Sequence, residues 1–310
     1  MRETCLQMIY ELSKQDDRIL FIGSDLTAGT LEKFKNEMPD RFFMEGVSEA
    51  NLLGVAAGLA LEGKIPYLNT IATFITRRSF EQLVLDLCLH NANVRLIGNG
   101  GGLVYAPLGP THEAIEDIAI LRAVPNITIL APADSLEMRK LMPHTVNHQG
   151  PIYLRLAKGH DPIVSNESDD YQIGKAIQIR QGTDVLLITT GITLGLAKTA
   201  ADILAKQNIE TTILHCHTLK PLDTKNIIDT ASTIPIIVTI EEHSVIGGLG
   251  SAVAELIAES NFNPSKKFKR IGIPDTFPNQ YGSQSDLMKK YSITTDGIVS
   301  DILSLIHISE

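Results

Sequence analysis

The feature that most constrains this chain is a repeated alternation of short β-type runs with helical stretches. "RILFIGS" (18–24), "IPYLNTI" (65–71), "VRLIGNG" (94–100), "ITILAP" (127–132) and "IYLRL" (152–156) are short, β-branched and bounded by Gly, Pro or Asp, which is the pattern of buried strands. Between them, 48–62, 77–90, 112–121 and 134–147 carry helical patterning. The stretch "FMEGVSEANLLGVAAGLALEG" (43–63) is itself a short apolar strand running into a helix of small residues. Strand–helix alternation predicts a mostly parallel sheet covered on both faces. Such sheets bind ligands at the carboxyl ends of their strands, so the chemistry is sought just after each strand.

The alternation pauses at "KGHDPIVSNESDDYQ" (158–172), a polar segment with the composition of a linker. It resumes with "DVLLITTG" (184–191), a helix from about 194, "IETTILHC" (209–216), a helix from about 224, "IPIIVTIEE" (234–242), the helix opened by "GGLGSAVAELIAE" and the strand "FKRIGIP". The expected class is therefore α/β with two doubly wound domains, 1–160 and 173–310. A length of 310 residues agrees with about two domains, and 44% hydrophobic residues is enough for two cores. No run approaches the ~18 apolar residues of a membrane span, and the charged start "MRETCLQMIYELSKQDDR" has no signal-peptide pattern. The expectation is a cytoplasmic protein without membrane attachment. A net charge of −9 argues against non-specific nucleic-acid binding. Cys5, Cys88 and Cys216 are scattered and odd in number, so no disulfide framework is expected.

Several stretches could carry chemistry, and each also has a plain structural reading. Glu49 stands among apolar and small residues at the head of the 48–62 helix. It is either a first-turn acid favoured by the helix N-terminus, with Ser48 as cap, or a buried carboxylate that needs a partner. Phe74, in "NTIATFITRRSFEQ", is core or a flat wall for a ring. "GNGGGLVYAPLGPTHEAIED" (98–117) is a long glycine-rich loop after a strand, and it is not a dinucleotide fingerprint. His112 is placed at the start of the next helix with Thr111 as its cap. Arg155 and Lys158 lie at a strand end, either solvated or holding a phosphate. "HCH" (215–217) suggests a metal site, but on a strand His215 and His217 face one way and Cys216 the other. "EEHSVIGGLG" (241–250) opens a helix and offers an anion site there, without the Gly-Lys-Ser/Thr of a P-loop.

Taken in order, "GVSEANLLGVAAGLALEGKIPY", "TFITRRSFEQ", "LGPTHEAIEDIAILRAVPN", "HTLKPLD", "EEHSVIGGLGSAV" and "GIPDTF" resemble the carboxyl-terminal half of transketolase, and best of all the small subunit of split bacterial transketolases. The resemblance covers nearly the whole chain. It implies thiamine diphosphate as cofactor, with Glu49 hydrogen-bonding N1′ of the aminopyrimidine and sharing a proton with it. It implies Phe74 stacking on the pyrimidine, and Asp25 and Val47 completing the cofactor wall. It makes His112 an active-site residue that contacts the donor sugar's hydroxyls. It places Lys158 and Arg2 toward the phosphate of a sugar-phosphate substrate, and Arg155, a cation at the same strand end, is expected to bind substrate there too.

The departures lie mainly on the sugar side. Ala50 follows Glu49 where the family has Gln, Leu108 stands where an Asp often reads a substrate hydroxyl, Asn99-Gly100-Gly101 replaces a stretch that often carries a further His, and Ile71 stands where an aromatic often lines the pocket. The family holds the diphosphate through Mg²⁺ on a G-D-G…N motif, and no G-D-G occurs in this chain. The resemblance therefore implies a separate amino-terminal subunit carrying the diphosphate and Mg²⁺ site, in an α2β2 assembly that transfers a two-carbon ketol unit. The competing expectations are a β-subunit of a 2-oxoacid or acetoin dehydrogenase, and a catalytically silent module of the same fold.

Overall fold

The computed structural model describes residues 1–24, 31–157 and 161–307. Among these residues, twelve strands form two sheets. In chain order they are β1 (Ile19–Gly23), β2 (Phe42–Met44), β3 (Ile65–Ile71), β4 (Arg95–Asn99), β5 (Thr128–Leu130), β6 (Ile152–Leu156), β7 (Ile177–Arg180), β8 (Val185–Thr189), β9 (Thr211–His215), β10 (Thr218–Lys220), β11 (Ile236–Ser244) and β12 (Lys267–Ile273). The first sheet has the order β10-β5-β6-β4-β3-β1-β2 and the second β12-β11-β8-β9-β7. Every pairing among β1–β6 is parallel, as are those of β8 with β9 and of β11 with β8 and β12. Among these twelve strands, antiparallel pairing is confined to β7 on β9 and β10 on β5, each at a sheet edge.

The central strands read as unbroken apolar runs because both faces are covered: β1, β3, β4, β6 and β8 are buried at every position. β10 comes from the segment after the linker, yet it closes the first sheet, with Thr218 opposite Leu130 and Lys220 opposite Ile129. The two α/β units are thus sewn together by the "HTLK" strand, whose polar sequence carries no strand pattern of its own. Helices Gln284–Lys290 and Thr295–His307 complete the second unit, and no helix among the described residues is long and apolar enough to cross a membrane.

Three local expectations are corrected. Helix Glu49–Leu61 starts as anticipated, but Ser48 does not cap it through its side chain; its hydroxyl donates to Glu45 O instead. The helical stretch after β3 begins at Phe74, and much of it (Phe74–Arg78 and Leu83–Leu89) has wide i→i+5 turns, a rare geometry often found at functional sites. The helix expected over 112–121 forms only over Asp117–Arg122. His112 lies in a turn held by its own N–H donating to Gly109 O, and Thr111 is not a helix cap; its hydroxyl pairs with His112 Nδ1.

Candidate active site

The carboxyl edge of the first sheet is polar. Ser24, after β1, donates its hydroxyl to Thr70 of β3 at 3.1 Å, and Asn99, closing β4, donates to Asn69 Oδ1 at 2.7 Å. All four are buried. Helix Glu49–Leu61 follows β2, the wide helix follows β3, and the His112 turn follows β4, so the topology alone delivers Glu49, Phe74 and His112 to one edge.

Their side chains meet there through a residue that no sequence motif singles out. Glu49 is 3% exposed, and its Oε2 lies 3.0 Å from Nη1 of Arg78. The same guanidinium sits 3.9 Å from the centre of the Phe74 ring. Phe74 makes an edge-on contact with His112, with ring centres 5.2 Å apart and an interplanar angle of 63°. Thr73 donates to His112 O at 3.1 Å, and Arg77 bridges Glu116 at 2.7 Å and Thr111 O at 3.3 Å. Arg78 therefore supplies the charge that a buried Glu49 needs, and it covers one face of a half-buried aromatic. The signal available in the sequence was spacing: Arg78 falls four residues after Phe74, one helical turn away.

The remaining predicted residues divide. Val47 is 71% exposed on the bend between β2 and the Glu49 helix. Arg2, half-buried at the start of helix Arg2–Ser13, is brought beside Tyr105 in the loop after β4. Arg155 does not extend from a strand end as expected. It lies within β6, 7% exposed, with Nε on Asp117 at 2.8 Å and Nη2 on the carbonyls of Ala114 and Glu242. That side chain braces the fold, so the phosphate-binding role expected of it is withdrawn. Asp25 and Lys158 lie outside the described residues. Of the departures, Leu108 is half-exposed on the loop before His112, whereas Ile71 is buried at the end of β3.

Two other candidate sites are used up internally. Glu241 of β11 accepts from the N–H groups of Leu249 and Gly250, both at 2.8 Å, at the start of helix Leu249–Glu259. The anion at this glycine-rich turn is thus the protein's own carboxylate. A Cβ at Gly248 would collide with it, which is why glycine is needed there. His215 pairs with Thr189 and Glu137, and His217 with Thr218. Among the described residues no group of three or more His, Cys, Asp or Glu side chains is placed to hold a metal.

The family models agree with this architecture. Residues 1–162 match the transketolase pyrimidine-binding domain and residues 174–298 the transketolase C-terminal domain. The chain is 37% identical over 300 residues to a 6-deoxy-6-sulfo-D-fructose transketolase subunit of Clostridium sp. (strain MSTE9), covering 96% of this chain and 92% of that one. It is 34% identical over 289 residues to an apulose-4-phosphate transketolase subunit of Actinobacillus succinogenes, covering 93% and 92%. Among solved structures, a split-gene transketolase described as an inactive β4 tetramer superposes with a TM-score of 0.89 at 32% identity, covering 100% of this chain and 98% of that one. The chain belongs to the transketolase family, and its two α/β units are that family's pyrimidine-binding and carboxyl-terminal domains.

Membership implies thiamine diphosphate, and the edge described above fits its pyrimidine end. A buried carboxylate is oriented by a cation that is itself half-exposed, and beside it stands an aromatic face. Together they offer an acceptor for a ring nitrogen or its proton and a surface for a flat heterocycle.

Proposed function

We propose that the chain is the pyrimidine-binding subunit of a two-chain transketolase that moves a two-carbon ketol unit from a ketose phosphate to an aldose acceptor. A partner subunit contributes the diphosphate and Mg²⁺ half of the site, giving an α2β2 enzyme. The observation that carries this reading is the convergence of Glu49, Arg78, Phe74 and His112 at one sheet edge. Two of the relatives are named as subunits of transketolases acting on modified sugars, and the split-gene neighbour is an inactive tetramer of one chain type. Both support a need for a second chain, and the relatives' names support a ketose with an altered carbon skeleton or anionic end.

When bound, thiamine diphosphate supplies the carbanion chemistry that carries the ketol unit. Glu49 would hold its pyrimidine nitrogen and exchange a proton with it. Arg78 keeps the Glu49 carboxyl aimed, Phe74 offers the stacking face, and His112 stands where hydroxyls of the sugar would be met. Lys158 and Arg2 would take the substrate phosphate.

The test mixes the purified chain with a candidate partner subunit, thiamine diphosphate and Mg²⁺ and follows ketose-phosphate turnover. Turnover is expected only in the mixture. Robust turnover by this chain alone would reject the split site.

A further inference from the structure

The residue after His112 is a buried acid that the proposed reaction does not use. Glu113 is 1% exposed, and neither of its carboxyl oxygens has a hydrogen-bond partner. Glu242 of β11 is close enough for its charge to act on Glu113. Glu242 itself is 3% exposed and accepts from Leu103 N–H and Gln284 Nε2, both at 2.8 Å. The buried hydroxyl of Tyr291 also lacks a partner and feels the Glu113 charge. Behind Glu242 stand Arg155 and Asp117, already paired with each other, and His243 lies 3.8 Å from Asp117.

Two buried carboxyls near enough to feel each other's charge cannot both ionise without a large penalty. Glu242 has the donors that stabilise a charge: two N–H groups, with Arg155 behind. Glu113 has none, so Glu113 is the one that keeps the proton. Burial, followed by the Glu242 charge, pushes the Glu113 carboxyl up to about 7.

The backbone here is the support for His112. Ala114 exchanges hydrogen bonds with Gly102 in both directions, Ser244 donates to Ile115 O at 2.8 Å, and Thr73 donates to His112 O. Gly102 has φ +69, and a side chain there would strike the Glu242 carboxyl. Gly102, paired with Ala114, thus holds the Glu113 turn against the Glu242 carboxyl at the seam with the second α/β unit.

We propose that Glu113 is a positioning residue for His112: as the neutral acid near Glu242 it keeps the His112 turn seated on β11, and loss of its proton unseats that turn. The step is a simple loss of the Glu113 carboxyl proton to solvent, and it reverses on acidification. The consequence for catalysis rests on the reading of His112 as an active-site residue, whereas the protonation state does not.

The test uses the full chain and Glu113→Gln, which mimics the neutral acid. Infrared difference spectra at pH 6 should show a protonated carboxyl in the wild type that is missing in E113Q; identical spectra would overturn the proposal. In a pH series by NMR, the backbone amides of His112 and Ala114 should show a step near pH 7 that E113Q lacks. Amides that titrate alike in both would show that Glu113 does not act on the turn. Neither measurement needs substrate, so each stands even if the transketolase reading fails. With the partner subunit and cofactor, wild-type kcat should fall roughly tenfold per pH unit above the midpoint, with KM little changed, and E113Q should lose that limb. An alkaline limb retained in E113Q would count against the positioning role. Should E113Q not fold, Glu242→Gln removes the opposing charge and should move the Glu113 midpoint downward; an unmoved midpoint would overturn the pairing.

Discussion

Arg78 Nη1 lies 3.0 Å from Glu49 Oε2 while its guanidinium covers the Phe74 ring at 3.9 Å, so one cation orients both side chains that would contact the pyrimidine. Glu49 and Phe74 come from helices that follow different strands, β2 and β3, and Arg78 is the tie between them. The pairing also explains how a carboxylate is tolerated at the head of a helix with an apolar buried face.

Replacement of Glu49 by Gln should keep the fold, since the two side chains are nearly isosteric and Gln still bonds Arg78 through its carbonyl. It should slow C2–H exchange of bound thiamine diphosphate by orders of magnitude, because the carboxyl that exchanges a proton with the pyrimidine is gone. NMR of the assembled complex measures this directly. An exchange rate equal to wild type would reduce Glu49 to a helix-start acid.

Arg78→Ala separates orientation from stability. The Arg78 side chain is 50% exposed, which screens the pair, but its loss leaves the buried Glu49 carboxylate without a counter-charge. The Tm of the chain should fall by a few degrees, and Arg78→Lys should restore most of it. In the complex, loss of both the carboxylate hydrogen bond and the ring contact should weaken thiamine diphosphate binding roughly tenfold. A large drop in Tm with unchanged cofactor affinity would make Arg78 a structural residue.

The alternation of strands and helices is legible in the sequence because parallel strands buried on both faces leave unbroken apolar runs, as in "IPYLNTI" and "VLLIT". β10 is not legible. It is itself an edge strand, paired with β5 alone, and "TLK" has neither length nor alternation. The site is half legible. Glu49, Phe74 and His112 follow from motif order, and the structure brings them together. Arg78 does not, because its role depends on a tertiary contact with a helix 29 residues away. Arg155 is misleading in the sequence because a cation on a strand gives no sign of which acid it faces. Here that acid is Asp117, the first residue of a helix that begins later than its pattern suggests. The internal capping of Leu249 and Gly250 by Glu241 is hidden for the same reason.

Stability should fall as pH rises from about 6.5 through 7 and then level off. Burial pushes the Glu113 and Glu241 carboxyls up to about 7. Their folded-state values lie above the ordinary range, so the stabilisation is complete below about 4.5 and is lost as pH passes through 7. Burial pushes the His217 and His243 imidazoles down to about 4, which makes stability rise with pH between about 4 and 6.5. The two trends oppose each other below 6.5, and only the carboxyl trend remains above it. Thermal melts should show Tm declining from about pH 6.5 through 7 and levelling off toward pH 8, with a smaller decline in Glu241→Gln. A flat or rising Tm over that window would contradict buried, proton-holding carboxyls.

The last prediction concerns the substrate's anionic end. Arg155 is committed to Asp117, which leaves Lys158 and Arg2 as the proposed phosphate ligands, with Arg2 held beside Tyr105 at the loop after β4. Loss of one charge-assisted contact is worth roughly 1.5–3 kcal/mol, or about one to two decades in kcat/KM. Lys158→Ala should therefore cost that much with a phosphorylated acceptor and almost nothing with glycolaldehyde, which is too short to reach the cation. Arg2→Ala should behave in the same way if both cations share one phosphate, and the double variant should then lose less than the sum of the single losses, because the two sites couple. Half-exposed Leu108, standing on the loop before His112, should permit acceptors of either C2 configuration, and Leu108→Asp should narrow that choice. The assay is the assembled enzyme with each variant on phosphorylated and unphosphorylated acceptors. An equal loss on both would make Lys158 structural. No loss on either, in Lys158→Ala and Arg2→Ala alike, would place the anion site on the partner subunit.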